Sequence, residues 1–224
     1  MKLSQLLVIF LVTSATCIAQ KDSLEYRIIV NNLGFTVEQV DGKIFENETS
    51  EATENNSVQL STVKEEEFVQ KYPSIFMIND NCYSFSCVEN DRKLKACLKT
   101  EVEDSKQYQK YSFKGEYCRS ALIYITGYES WGYLSVDLND GTAFYTMGKP
   151  MTHDCKFVIS HSNYYGEEEI SIIELKSEKR LLLTAEAWTT MGTKFINDSY
   201  HIKLKQWDGG QDLIRYLKIN TKSK

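Results

Sequence analysis

Aromatic side chains are the residues of this sequence best suited to recognising a ligand, and many of them fall in one short stretch. Tyr, Phe and Trp make up 12% of the 224 residues. Rings on one face of a β-strand form a flat surface that stacks on a sugar or packs against a protein. We therefore predict a binding platform made of Trp131, Tyr133, Phe144 and Tyr128. The alternative interpretation is that both faces of this sheet are buried, which would make these rings part of the core. Other aromatic residues of this region are Tyr124, Tyr145, Tyr164 and Tyr165.

The cysteines indicate structural disulfides rather than redox chemistry or metal binding. No C-x-x-C pattern occurs, so the usual spacing of a redox or zinc motif is absent. Cys82 and Cys87 fall on one predicted strand with side chains on opposite faces, and they cannot pair while the strand is straight. We predict that Cys87 pairs with Cys97 across a hairpin and that Cys118 pairs with Cys155. Cys82 is then left as a buried thiol or as the link of a disulfide-bonded homodimer.

The patterns that mark catalytic and metal sites are absent from the sequence. Its three histidines form no H-E-x-x-H motif, and there is no G-x-S-x-G elbow and no phosphate-binding loop. His153 and His161 would share a strand face but lie too far apart to bind one metal ion. The segment Asp137–Gly141 lacks the closing glutamate of a calcium loop. We therefore expect no catalytic residue, no metal site and no cofactor, and hence a protein that is not an enzyme.

The amino-terminal residues have the pattern of a secretory signal peptide. Lys2 supplies a positive charge, Leu6–Val12 is an uninterrupted apolar run, and Cys17 and Ala19 are small residues suited to cleavage. We predict a signal peptide at residues 1–19, a secreted, extracellular mature chain and no membrane span. An oxidising compartment favours the disulfides. N-glycosylation sequons begin at Asn47, Asn55 and Asn197.

Strand periodicity dominates the mature chain and predicts an all-β fold. Short, evenly spaced strands indicate an antiparallel β-sandwich, with a β-barrel as the alternative. One short helix is predicted near residues 64–71, before Pro73. Asp41–Gly42 predicts a turn into a strand at 43–45, and residues 46–56 predict a glycosylated surface loop. The segment 212–219 fits either a strand or a helix.

One hairpin can be predicted residue by residue. The pair Asp140–Gly141 suits a two-residue turn between two strands of residues 131–147. That turn predicts an apolar core face carrying the cross-strand pairs Leu138–Ala143, Val136–Tyr145 and Leu134–Met147.

Residues 20–224 are predicted to form a single domain, and any internal boundary would fall near residues 46–57 or 102–110. The formal charge of −5 argues against nucleic-acid binding. We favour a secreted glycoprotein that acts as a non-enzymatic extracellular binding protein for a protein or glycan partner. Two other hypotheses remain open: a lipocalin-like β-barrel carrier of a small apolar ligand, and a secreted hydrolase with dispersed carboxylates.

Overall fold

The computed structural model describes residues 24–50, 60, 64–79, 82–89, 92–98, 109–127, 130–177, 179–207 and 213–221. Within these ranges the chain is mostly β, with sixteen strands and two short helices. The helices are α1 (Gly42–Thr49) and α2 (Glu65–Lys71). The strands are β1 (Arg27–Asn31), β2 (Thr36–Val40), β3 (Phe76–Asn79), β4 (Cys82–Glu89), β5 (Arg92–Cys97), β6 (Gln109–Tyr117), β7 (Ser120–Gly127), β8 (Ser130–Asp137), β9 (Thr142–Thr146), β10 (Met151–Thr152), β11 (Phe157–Tyr164), β12 (Glu167–Glu174), β13 (Arg180–Glu186), β14 (Trp188–Ile196), β15 (Ser199–Gln206) and β16 (Ile214–Asn220).

The strands form three sheets, one of which is curled into a half-barrel. The five-stranded sheet has the order β1-β13-β12-β11-β10, and the four-stranded sheet has the order β14-β15-β16-β2. The seven-stranded sheet runs β3-β4-β9-β8-β7-β6, with β5 paired to β4. Neighbouring strands are antiparallel except for a short parallel contact between β4 and β9. The chain passes directly from β13 to β14 at Ala187, and this corner joins the five- and four-stranded sheets.

Three clusters of buried side chains hold the sheets together. The largest draws on both the five- and the four-stranded sheet, and its members include Ile159, Ile170, Leu181, Tyr200, Ile202 and Leu217. A second cluster lies on the seven-stranded sheet, where Phe68 of α2 stacks on Phe113 at 4.3 Å between ring centroids. A small third cluster joins Tyr117 and Leu122 of the seven-stranded sheet to Val158 of the five-stranded sheet. Burial of each large apolar side chain stabilises the fold by about 1.5–3 kcal/mol.

The β-rich architecture and the helix near residues 64–71 are confirmed, and three other expectations need correction or extension. The strand predicted at residues 43–45 is wrong, because α1 begins there. The Asp41 carboxylate accepts a hydrogen bond from the Lys43 amide at 2.8 Å and caps the helix, and Phe45 and Thr49 are buried. The segment 46–56 is therefore helical as far as Thr49, and residues 51–59 lie outside the described ranges. Strands β6 and β14 were not predicted, whereas the ambiguous segment 212–219 contains β16.

The predicted hairpin forms, but its strands are shifted by two residues. Val136 pairs with Ala143 and Leu134 with Tyr145, so four residues form the loop instead of two. The Asp137 carboxylate accepts a hydrogen bond from the Asn139 amide, and the Asp140 carboxylate accepts one from Thr142. These side-chain bonds favour a longer turn than Asp140–Gly141 alone. Leu134, Val136 and Ala143 are buried as the predicted core face requires.

The structure confirms one of the two predicted disulfides. Cys118 and Cys155 are bonded, with their Cα atoms 5.4 Å apart. The predicted bond between Cys87 and Cys97 is wrong, because the β4–β5 register places Leu94 opposite Cys87 and Ser84 opposite Cys97. Cys87 is a buried thiol, whereas Cys97 takes part in a disulfide. The side chain of Cys82 lies outside the described residues.

Helix α1 covers the outer face of the four-stranded sheet above a buried histidine. His201 is only 1% exposed, and its Nδ1 lies 3.7 Å from the Glu48 carboxylate. The Glu48 carboxylate also forms an ion pair with the Lys218 ammonium, with Nζ and Oε2 2.8 Å apart. Register places Lys194 on one side of His201 and Lys218 on the other. Burial lowers the pKa of His201; Glu48 opposes this shift and Lys218 adds to it.

Neither helix is long and apolar enough to cross a membrane.

His201 should make the stability of the fold sensitive to acid. We expect the free energy of unfolding to fall as the pH drops below about 6.5, because the unfolded chain then takes up a proton that folded His201 resists. In His201→Gln this part of the pH dependence should disappear. Urea unfolding between about pH 7.5 and about pH 5.5 measures it, with exposed His153→Gln as the control. Equal pH dependence in wild type and His201→Gln would contradict this role of His201.

Candidate functional site

The predicted platform residues come together on one face of the seven-stranded sheet, where they are partly covered. Trp131 and Tyr133 lie on β8, Phe144 lies on β9, and all three are half-buried. Tyr133 and Phe144 pack against the small cluster that joins the seven- and five-stranded sheets. Tyr128 lies outside the described residues. Part of this face therefore lies in the contact between the seven- and five-stranded sheets. The part that faces solvent is smaller than the predicted platform.

Five aromatic residues extend from this contact between the sheets to the protein surface, and we call them the aromatic strip: Tyr124, Tyr133, Trp131, Tyr164 and Tyr165. Tyr124 and Tyr133 are cross-strand neighbours with ring centroids 4.9 Å apart. Trp131 contacts Tyr164 of β11 at 5.1 Å, and Tyr164 contacts Tyr165 at 4.3 Å. Because Trp131 and Tyr133 are two residues apart on one strand, they share a face. The strip therefore connects both sheets and ends on the exposed ring of Tyr165.

Tyr165 occupies a backbone conformation that tyrosine rarely adopts. It lies with Gly166 at the tip of the β11–β12 hairpin, and the φ angles are 50° for Tyr165 and 86° for Gly166. Such a two-residue turn favours Asn-Gly, since a bulky residue in the left-handed region costs roughly 1–2 kcal/mol. The Tyr165 side chain is 85% exposed, so burial of the ring does not offset this cost. A strained, exposed aromatic residue at a loop tip is typical of a recognition site.

Hydrogen bonds behind the turn hold Tyr165 in place. The Asn163 side chain accepts a bond from the Gly166 amide at 3.1 Å and donates one to the Trp188 carbonyl at 2.8 Å. The Ala187 amide donates to the Gly166 carbonyl at 2.7 Å. These contacts tie the hairpin tip to the corner between two sheets, so the Tyr165 ring projects from a rigid base.

Trp207 and Lys114 extend the strip at its two ends. Trp207 is 66% exposed, and a Cβ atom added to Gly166 would meet its ring at 3.4 Å, so Trp207 lies beside the hairpin tip. At the other end, the Lys114 ammonium lies 5.4 Å from the Tyr124 ring centroid. Neither residue was predicted, since only the fold brings β6 and the end of β15 to this surface. Burial, and secondarily Tyr124, raise the pKa of Tyr133.

Trp131 is supported from the opposite face of the sheet. The Tyr145 hydroxyl donates a hydrogen bond to the Trp131 carbonyl. The Tyr145 ring also lies against Gly132, where a Cβ atom would overlap it. Gly132 is therefore required between the two strip residues Trp131 and Tyr133. Tyr145, which the predicted hairpin places on its core face, packs against the core of the seven-stranded sheet.

Two described histidines lie apart from each other and outside the strip. The His161 Nδ1 lies 3.4 Å from the buried Glu168 carboxylate. His153 lies elsewhere, with its ring 5.2 Å from that of Phe195. Over the part of the chain that the structure describes, no group of three or more His, Cys, Asp or Glu residues could hold a metal ion.

Replacing Tyr165 by Asn should stabilise the folded protein. Asn tolerates the left-handed conformation and would create the favoured Asn-Gly turn, so we expect the free energy of unfolding to rise by about 1 kcal/mol. Tyr165→Ala removes the ring but keeps the backbone strain, and it serves as the matched control. Urea unfolding of both variants measures the difference. An Asn variant no more stable than the Ala variant would show that the turn stores no strain.

Comparison with known proteins gives no relative for this chain. No protein-family model, no curated protein and no solved structure matches it. The assignment of function therefore starts from the aromatic strip and the residues that hold it.

Proposed function

We propose that this chain is a secreted, non-enzymatic binding protein that recognises a protein or glycan partner in the extracellular medium through the aromatic strip. The observation that carries the proposal is the exposed Tyr165 ring, held in a strained turn at the end of the ring contacts from Trp131 through Tyr164. Tyr and Trp give a partner large, rigid contact areas with a polar edge. The anchored turn lowers the entropy cost of presenting them.

We infer that the five- and four-stranded sheets form a β-sandwich. Their shared core supports this arrangement, as does the direct passage from β13 to β14 at Ala187. Ile159, Ile172 and Tyr200 are fully buried side chains of that shared core. Filled interior space favours recognition on the outer surface over transport of an enclosed molecule.

Secretion and glycosylation form part of the same proposal. The Cys118–Cys155 disulfide suits an oxidising compartment. Asn197 is exposed in the turn before β15, and Asn47 is exposed on α1, so both asparagine side chains are accessible to a glycan. Asn55 lies outside the described residues. The two described sequons lie on turns and helices away from the residues of the strip, which leaves the strip free for a partner.

Partner capture tests the proposal. The mature protein, immobilised through its carboxyl end, is presented with a glycan array and with extracellular fluid from its source. We expect Tyr165→Asn combined with Trp207→Ser to weaken binding of the captured partner by about tenfold or more, since exposed Tyr and Trp are common energetic hot spots. Trp131→Ala should weaken it as well.

The control for this experiment is Ile78→Ser, which removes an exposed apolar side chain outside the strip. Its binding should equal that of the wild type, and circular dichroism should show the same fold in all variants. Binding that survives the Tyr165/Trp207 double substitution, or that Ile78→Ser reduces equally, would refute the strip as the recognition surface.

A further inference from the structure

A second candidate site lies at the carboxyl end of helix α1, on the face of the four-stranded sheet that the helix covers. A cavity of about 490 Å³ opens there between the helix and the β14–β15 hairpin. Its wall includes Phe45, Thr49, Met191, Gly192, Lys194 and Lys203. The volume lies within the range of small-molecule sites.

A β-bulge shapes one wall of this cavity. The β14–β15 register shifts between Thr190 and Gly192, which leaves Met191 as the extra residue, with its side chain exposed. Gly192 faces open space, because a Cβ atom added there would have no atom within 4 Å. Bulges occur often beside binding sites, where they re-aim side chains. Here the bulge brings an apolar side chain to the mouth of the cavity and leaves room beside it.

Two lysines give the cavity a positive charge. The Lys194 ammonium donates a hydrogen bond to the Thr49 carbonyl at 3.2 Å, and Lys203 lies opposite Gly192 in the strand register. Among the described residues, neither ammonium has a carboxylate at ion-pair distance. Glu48 is already bonded to Lys218, and Glu46 lies exposed on the cavity wall. The site therefore combines two lysines and one exposed carboxylate with the apolar side chain of Phe45.

We propose that this cavity binds a small organic anion with an apolar body, such as an alkyl or aryl carboxylate. The carboxylate would lie between Lys194 and Lys203. Hydrogen bonds from their ammonium groups to a carboxylate are stronger than hydrogen bonds between neutral groups. The apolar body would lie on Phe45 and the flexible Met191 side chain. This site shares no residue with the aromatic strip.

Calorimetric titration of the mature protein with octanoate tests this site, with octan-1-ol and acetate as comparison ligands. Octanoate carries both the charge and the apolar chain, so it should bind more tightly than either comparison ligand. Gly192→Leu should abolish octanoate binding, because the new side chain enters the open space of the cavity. Lys203→Ala should weaken it by about five- to tenfold, and Lys203→Arg should restore it to within about twofold.

Two controls make the result specific. Lys176→Ala removes an exposed lysine elsewhere and should leave octanoate binding unchanged. Tyr165→Asn should also leave it unchanged, which separates this site from the proposed function of the strip. The proposal is overturned if wild type does not bind octanoate, if octan-1-ol binds as tightly, or if folded Gly192→Leu or Lys203→Ala binds as well as wild type.

Discussion

The two backbone hydrogen bonds of Ala187, from its amide to the Gly166 carbonyl and to its carbonyl from the Trp207 amide, join a sheet corner, a hairpin tip and Trp207. Ala187 is the corner at which the chain leaves the five-stranded sheet for the four-stranded sheet, and its φ angle is 63°. Its carbonyl accepts a bond from the Trp207 amide at 2.8 Å, at the end of β15. One residue thus fixes the corner, the hairpin tip that presents Tyr165, and the position of Trp207. The surface that we propose for recognition is therefore anchored by backbone hydrogen bonds at the junction of two sheets.

The aromatic face packs between two sheets at one end and is exposed to solvent at the other. Tyr133 and Phe144 stabilise the contact between the seven- and five-stranded sheets, whereas Tyr165 and Trp207 contribute exposed surface. Exposed apolar side chains that lie next to one another, as Tyr165 and Trp207 do, are candidates for interaction sites. Some of these residues are covered by the neighbouring sheet and others are exposed to solvent. They therefore form neither a core cluster nor a fully exposed binding platform.

Sequence patterns predicted the β-rich fold and the Cys118–Cys155 bond, and they missed features that depend on distant contacts. Helix α1 was taken for a strand because Lys43–Phe45 is β-rich locally; in the fold, Phe45 packs on Tyr216 at 4.5 Å between ring centroids. Strand β14 was missed because its bulge at Met191 interrupts the alternation. In β6, Tyr111, Phe113 and Tyr117 do alternate, so its pattern was available in the sequence. No local pattern predicts a tyrosine at a position that favours Asn, since the Asn163 and Ala187 hydrogen bonds that hold it come from the fold.

Hydroxyl-radical footprinting, read by mass spectrometry with and without the captured partner, tests the central claim most directly. Among the tyrosines and tryptophans of the free protein, oxidation should be strongest at Tyr165 and Trp207 and weak at the buried Tyr117 and Tyr200. Partner binding should protect Tyr164, Tyr165 and Trp207 together. Protection confined to other surfaces, with Tyr165 and Trp207 oxidised as in the free protein, would contradict the assignment of the aromatic strip as the recognition surface.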